Sequence, residues 1–208
     1  MIPAKTPALV KQYYENYIWE IAESDNGIYL TFDDGPIPDV STWILDLLDS
    51  YGIKATFFCV GDNVKKHPNT FEHLVKSGHG VGNHTFNHLN GWNTKTRKYL
   101  ENIKKTTDIF KNHGIKTKLF RPPYGKLRPQ QSKAIKALGY DIIFWSVLSK
   151  DYSLKLSSQQ VFNNIIQHAK AGSIIVCHDN IKAFKHLKAI LPHAIETLLQ
   201  KGFEFKTL

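Results

Sequence analysis

Seven short strand-like runs recur along the chain, with helical spacing in the stretches between them. The runs are GIYLTF (27–32), KATFFCV (54–60), HGVGNH (79–84), KLFR (118–121), DIIFWSV (141–147), SIIVCH (173–178) and FEFKTL (203–208). The intervening segments place apolar residues three or four apart, and most stop at a glycine. Trp43, Leu47 and Leu48 precede Gly52, residues 69–78 close at Gly78, and Tyr99, Ile103 and Phe110 precede Gly114. Residues 128–139 enter with Pro129 and end at Gly139, 157–172 carry Ser158 as a cap, and 182–202 form a last helix with Pro192 as a kink or restart. Such alternation dictates an α/β fold with a parallel sheet and right-handed crossovers. An open doubly wound sheet and an incomplete barrel both satisfy it. Asp33, Asp34, His84, Arg121, Ser146 and His178 fall at the C-terminal ends of different strands, and one site drawn from so many strands favours the barrel.

No linker divides the series, so the expectation is a single catalytic-sized domain over 27–208, with residues 1–26 as an N-terminal extension packing on it. With 42% hydrophobic residues the chain can bury a core of that size. No run approaches the roughly 18 apolar residues of a membrane span. The N-terminus carries Lys5, Lys11 and Tyr13 too early for a cleavable leader, which reads as cytoplasmic unless a signal was removed from a secreted or cell-envelope form. Cys59 and Cys177 sit in apolar strand-like runs and read as buried free thiols. The formal charge of +9 is spread over scattered lysines. Without a zinc-finger spacing, an RNA-binding aromatic pair or a basic arm, nucleic acid is the weaker partner class.

Three stretches carry candidate chemistry. In YLTFDDGPIPDV, Asp33 and Asp34 stand side by side after an apolar strand, where two carboxylates repel unless positive charge sits among them. In GNHTFNH, His84 and His88 are four apart, the spacing that on a helical turn points two imidazoles one way. Two histidines and one carboxylate leave coordination positions open on a divalent ion, as a catalytic site requires. In FRPPYG, the Arg121 fork suits a carboxylate, and two prolines stiffen the loop so that the Tyr124 N–H can face a developing oxyanion. Further on, Asp151 suits pairing with a histidine, which fixes the tautomer and raises the imidazole pKa. His178 stands at a strand end, and Trp145 reads equally as core.

Taken in order, TFDDGP, HTFNH, RPPYG, WSVLSKDY and IIVCH resemble the five motifs of the polysaccharide deacetylase family, the NodB homology domain of carbohydrate esterase family 4. The resemblance spans nearly all of 27–208. It implies a distorted (β/α)7 barrel related to the TIM barrel, with the site at the C-terminal strand ends. It implies removal of acetyl groups from N-acetylated, or O-acetylated, sugars with a divalent metal, most often Zn2+, with Co2+, Mn2+ or Ni2+ as alternatives. On this likeness Asp34, His84 and His88 are the metal ligands and Asp33 the base. Arg121 holds that base, Tyr124 supplies the oxyanion N–H, His178 is the acid and Asp151 orients it. Tyr152 and Val176 wall the acetyl pocket, with Trp145 and Pro122 beside them, and Trp92 offers a face for a sugar ring. Tyr152 and Val176 depart from the Trp and Leu frequent in the family, which bears on pocket shape. The implied partner of a monomeric enzyme is a chitin-oligomer, peptidoglycan or xylan type of glycan. Competing readings are a C–N hydrolase of a small or cyclic amide on the same fold and a non-catalytic glycan-binding module.

Overall fold

The computed structural model describes residues 3–22 and 25–208. Four positions of the leading segment (1, 2, 23 and 24) lie outside the described residues. The strands are β1 (Gly27–Asp33), β2 (Thr56–Cys59), β3 (Gly80–Asn83), β4 (Leu119–Phe120), β5 (Asp141–Ile142), β6 (Val147–Leu148), β7 (Ile174–His178) and β8 (Glu204–Phe205). They form a parallel sheet in the order β5-β4-β3-β2-β1-β7-β6, with β8 added at the start of β1. This is the sequential order of a barrel left open between β5 and β6. The architecture is therefore a curled, distorted (β/α) barrel rather than a doubly wound sheet.

Helices α2 (Pro38–Ser50), α4 (Pro68–Lys76), α5 (Thr96–Asn112), α6 (Pro129–Ala137), α7 (Ser158–Ile166) and α8 (Ile181–Gln200) occupy the six segments whose spacing predicts them. The short α1 (Ala8–Tyr13) and α3 (Gly61–Lys66) were not predicted. Each has six residues, fewer than two turns, too few to show a period. Pro192 does not interrupt α8. Leu187, Ile190, Leu191, Ala194, Ile195 and Leu198 bury one face of that helix around it, which offsets the one lost backbone bond. The predicted strand 141–147 is instead two short strands flanking residues 143–146. There Ile143 bridges Ile18 and Ser146 accepts from Thr6 N (3.0 Å), so segments before β1 take up the backbone bonds where the barrel is open.

Strand alternation sorts the two sides of the sheet. Ile28, Leu30 and Phe32 of β1, with Ile175 and Cys177 of β7, enter the cluster under α2 and α8. Tyr29 of β1 and Ile174 and Val176 of β7 enter the barrel interior with Phe58, Phe120 and Trp145. The same period carries Asp33 and His178, which are register partners, to the interior face at the top of the strands. Both cysteines are free and buried. No helix among the described residues is long and apolar enough to cross a membrane.

Candidate active site

A cleft of about 650 Å³ opens at the C-terminal ends of the strands. It is lined by Asp33, Asp34, His84, His88, Tyr124 and His178, and its walls include Trp145, Leu148, Tyr152 and Val176. A larger groove along α5 and residues 115–118 holds none of these groups and lies away from the chemistry.

Asp33 is buried at the end of β1 and accepts from Arg121 Nη1 at 2.7 Å through Oδ1. Arg121 is wholly enclosed: it also donates to Thr31 Oγ1 (2.8 Å) and to the carbonyls of Ile143 and Phe144, and its guanidinium lies 3.9 Å from the centre of the Phe58 ring. Burial lowers its pKa, and the adjacent Asp33 carboxylate opposes that shift. With Oδ1 committed, Asp33 Oδ2 remains toward the cleft, 4.0 Å from His84 Nε2.

Asp34 leaves the strand with φ +91°, a left-handed backbone that turns its side chain away from the period of β1. Its Oδ2 accepts from Asn180 Nδ2 at 2.6 Å, and its carbonyl from Asn63 Nδ2 at 2.7 Å. Oδ1 is buried, 3.0 Å from His88 Nε2 and 3.7 Å from His84 Nε2, yet receives no hydrogen bond. Burial raises the Asp34 carboxyl pKa, but the His88 imidazole and the nearby His178 and His84 outweigh it and hold the group well below the usual range.

The two histidines are not on a helical turn as their spacing suggests. Residues 84–88 form a loop with left-handed backbone at Thr85 (φ +63°) and His88 (φ +53°). Asn83 and Asn102 supply its bonds: Asn83 Oδ1 accepts from Thr85 N, and Asn102 Oδ1 accepts from Phe86 N and Asn87 N. Local Asn-to-backbone bonding of this kind replaces a helical ladder. The rings still converge, with centres 5.0 Å apart. His84 Nδ1 lies 2.8 Å from the Arg121 carbonyl, which can only accept, so Nδ1 carries the proton and Nε2 presents its lone pair. Burial pushes the His84 pKa down to about 4 against the pull of Asp33, so the ring is neutral at pH 7.

Ligand atoms of Asp34, His84 and His88 all lie within 4.8 Å of one another. An orphaned carboxylate oxygen beside two imidazole nitrogens fits a divalent cation, and the donor set leaves room for water and substrate. Across the cleft, His178 Nδ1 donates to Asp151 Oδ1 and its backbone N–H to Oδ2, both at 2.7 Å. Burial alone would lower the His178 pKa, but the Asp151 carboxylate foremost, with Asp34 and Asp33 behind it, raises it to about 9. Tyr124 stacks edge-on to His88 (4.5 Å) in a 3-10 turn whose own bonds use Gly125 N and Lys126 N.

A model of the polysaccharide deacetylase family matches residues 20–143. The chain belongs to the polysaccharide deacetylase family. It is 32% identical to a peptidoglycan-N-acetylglucosamine deacetylase of Bacillus cereus over 91% of this chain and 90% of that one. It is likewise 32% identical to the peptidoglycan-N-acetylglucosamine deacetylase PgdA of Listeria monocytogenes, over 90% of this chain but 39% of PgdA. The crystal structure of a peptidoglycan N-acetylglucosamine deacetylase in complex with 4-naphthalen-1-yl-N-oxidanyl-benzamide superposes with a TM-score of 0.89, at 32% identity, covering 98% of this chain and 95% of that one. With its divalent-metal triad, this deacetylase is a metal-dependent hydrolase.

Two expected pocket residues stand apart. Pro122, buried at the start of the 3-10 turn, and Trp92, 54% exposed, are not among the residues that line the cleft. Two residues that the motifs do not flag hold the groups around Asp34. Asp179 accepts from Gly35 N (2.8 Å) and Ser41 Oγ (2.6 Å), and a Cβ on Gly35 would come within 1.8 Å of its Oδ2. Asn180 caps α8 through Ala183 N (3.0 Å) while holding Asp34. The signal for both was the run HDN immediately before a helix, an N-terminal capping pattern.

Proposed function

We propose that this deacetylase removes the acetyl group from N-acetylglucosamine residues of a peptidoglycan-type glycan, using Zn2+. The observation that carries the reading is the orphaned Asp34 Oδ1 between two imidazoles, flanked by Asp33 held on Arg121 and by His178 held on Asp151. Both relatives and the solved structure reported above act, by name, on peptidoglycan N-acetylglucosamine. Zn2+ suits two imidazoles and one carboxylate with open positions, with Co2+, Mn2+ and Ni2+ as substitutes, and such an ion supplies a Lewis acid and lowers the pKa of a water beside it.

The residues divide the remaining work. Asp33 Oδ2 accepts the proton of the water that attacks the acetyl carbonyl, while Arg121 keeps Oδ1 occupied and the carboxylate oriented. The Tyr124 N–H donates to the oxyanion, a contribution of about 3 kcal/mol in comparable sites. His178, protonated at neutral pH, gives the Nε2 proton to the departing amine nitrogen. Trp145, Tyr152, Val176 and Leu148 exclude water around the acetyl methyl.

Acetate release from peptidoglycan fragments, chito-oligosaccharides and acetylxylan, with Zn2+ added, tests the activity. The expected result is release that Asp33→Asn abolishes and a Zn2+ stoichiometry of one that His84→Ala removes. Release from acetylxylan alone would refute the N-acetyl assignment, and undiminished release by Asp33→Asn would refute its role as base.

A further inference from the structure

Trp92 is fixed far more firmly than an exposed loop tryptophan requires. Its backbone N–H donates to Asn90 Oδ1 (3.0 Å), its carbonyl accepts from the Arg128 fork, and its indole N–H donates to the Leu127 carbonyl (3.3 Å). Gln131, fully buried, donates to the carbonyls of Gly91 (2.9 Å) and Thr94 (3.0 Å) on either side of it. Gly91 lies backbone to backbone on the 126–128 segment, where a Cβ would meet the Lys126 carbonyl at 2.3 Å. The turn is thus locked, with Trp92 more than half exposed.

Lys126 connects this platform to the reaction cleft. Its ammonium lies over the Trp92 ring, 5.1 Å from the centre, in a cation-π contact, and the residue itself lines the cleft. Apart from the reacting carboxylates and histidines, the charged side chains lining the cleft are Lys126 and Lys182, and neither makes an ion pair among the described residues. The part of a rigid aromatic that the ammonium leaves open offers a sugar ring an apolar surface at low entropic cost, and that ammonium, held by the ring but without a carboxylate partner among the described residues, reads negative charge.

We infer that Trp92 and Lys126 form a second sugar subsite, which takes a carboxylate-bearing residue next to the sugar being deacetylated. The inference rests on the deacetylase reading of the cleft and narrows it: a glycan alternating neutral and acidic sugars, such as a lactyl-ether-substituted peptidoglycan strand, engages both lips, whereas chitin and xylan leave the ammonium unused.

The test compares two N-acetylated tetrasaccharides of equal length on the Zn2+-loaded protein: a neutral chitin tetramer and an alternating peptidoglycan tetrasaccharide, the latter also with its carboxylates methyl-esterified. In Lys126→Gln the ratio of kcat/KM for acidic over neutral substrate falls about 3- to 5-fold, through KM, as expected for an exposed charge pair. Lys126→Arg retains the ratio, esterification removes the advantage in the unaltered protein, and Trp92→Ala weakens both substrates by roughly tenfold. An unchanged ratio in Lys126→Gln, an equal fall in Lys126→Arg, or an unaffected Trp92→Ala would overturn the subsite. Calorimetric affinity for the acidic tetrasaccharide is read in parallel. If neither substrate releases acetate the deacetylase reading fails, and the subsite then stands or falls on whether Lys126→Gln weakens that binding.

Discussion

Replacing Asp151 by Asn probes whether His178 is built as an acid. Asp151 is fully buried and meets His178 through both carboxylate oxygens at 2.7 Å. With Asp34 and Asp33 behind it, it holds the imidazole at a pKa of about 9 against burial, which by itself drives the value below 6.5. Moving an imidazole from 6.5 to about 9 corresponds to about 3 kcal/mol of preference for the charged ring. The side chain is 15% exposed, so solvent screens little of it. Because the folded value is raised, this stabilisation is fully present below pH 6.5 and is lost as the pH climbs through about 9.

In the metal-free Asp151→Asn variant burial is opposed only by the lesser pull of Asp34 and Asp33, and the expected outcome is that His178 titrates below 7. NMR titration of the His178 ring protons in the metal-free protein measures this directly, near 9 before the substitution and below 7 after it. Unfolding free energies taken in parallel differ by about 3 kcal/mol at pH 6, and this pH-dependent part disappears above pH 9. At pH 7.5 the loaded variant holds a neutral imidazole with no proton to give, so kcat falls by about 10²-fold and the pH optimum moves to the acid side. A His178 that still titrates near 9 without the Asp151 charge, or one near 6.5 with it, would refute the reasoning.

Two further perturbations address the other half of the site. Arg121→Leu leaves Asp33 buried without its cation, and urea unfolding of the metal-free protein should show a loss of about 3–5 kcal/mol; a loss under about 1 kcal/mol would mean that the pair contributes no more than a surface bridge. Gly35→Ala drives a methyl into the Asp179 carboxyl and frees the turn that carries Asp34, so Zn2+ affinity measured by competition with a chelator should fall at least about tenfold. Gly52→Ala, where a Cβ meets nothing within 4 Å but φ is +64°, costs about 1 kcal/mol of stability through backbone strain and leaves that affinity unchanged.

What the sequence displays and what it conceals follow from the range of the interactions. Six helices are legible because each repeats an apolar face over at least two turns and ends at a recognisable stop. The split of 141–147 into β5 and β6 is not legible: the run is continuously apolar, and the break is created by distant Ile18 and Thr6, which take the intervening backbone bonds. The His84–His88 spacing is visible but its conformation is not, because Asn83 and Asn102, the second some fifteen residues away, replace the helical ladder. Asn180 and Asp179 are hidden for a related reason. They reach Asp34, Gly35 and Ser41 across roughly 140 positions of chain, and only folding brings β7 beside β1.

The adjacency of Asp33 and Asp34 is resolved by backbone geometry. A strand period would send neighbouring side chains to opposite faces, one into the barrel and the other under α2. Asp33 obeys that period and joins Thr31 at the Arg121 fork. Asp34 breaks it at φ +91°, a conformation that aspartate tolerates better than β-branched residues and one further fixed by Asn63 on its carbonyl and Asn180 on its Oδ2. Two consecutive carboxylates therefore reach one cleft by different routes, each with one oxygen bound by a nitrogen donor and the other left toward the reaction. Their mutual repulsion is met on one side by a permanent guanidinium and on the other by the cation that Asp34, His84 and His88 are arranged to hold. Removing either source of positive charge should thus be felt by both carboxylates, although only one of them touches it.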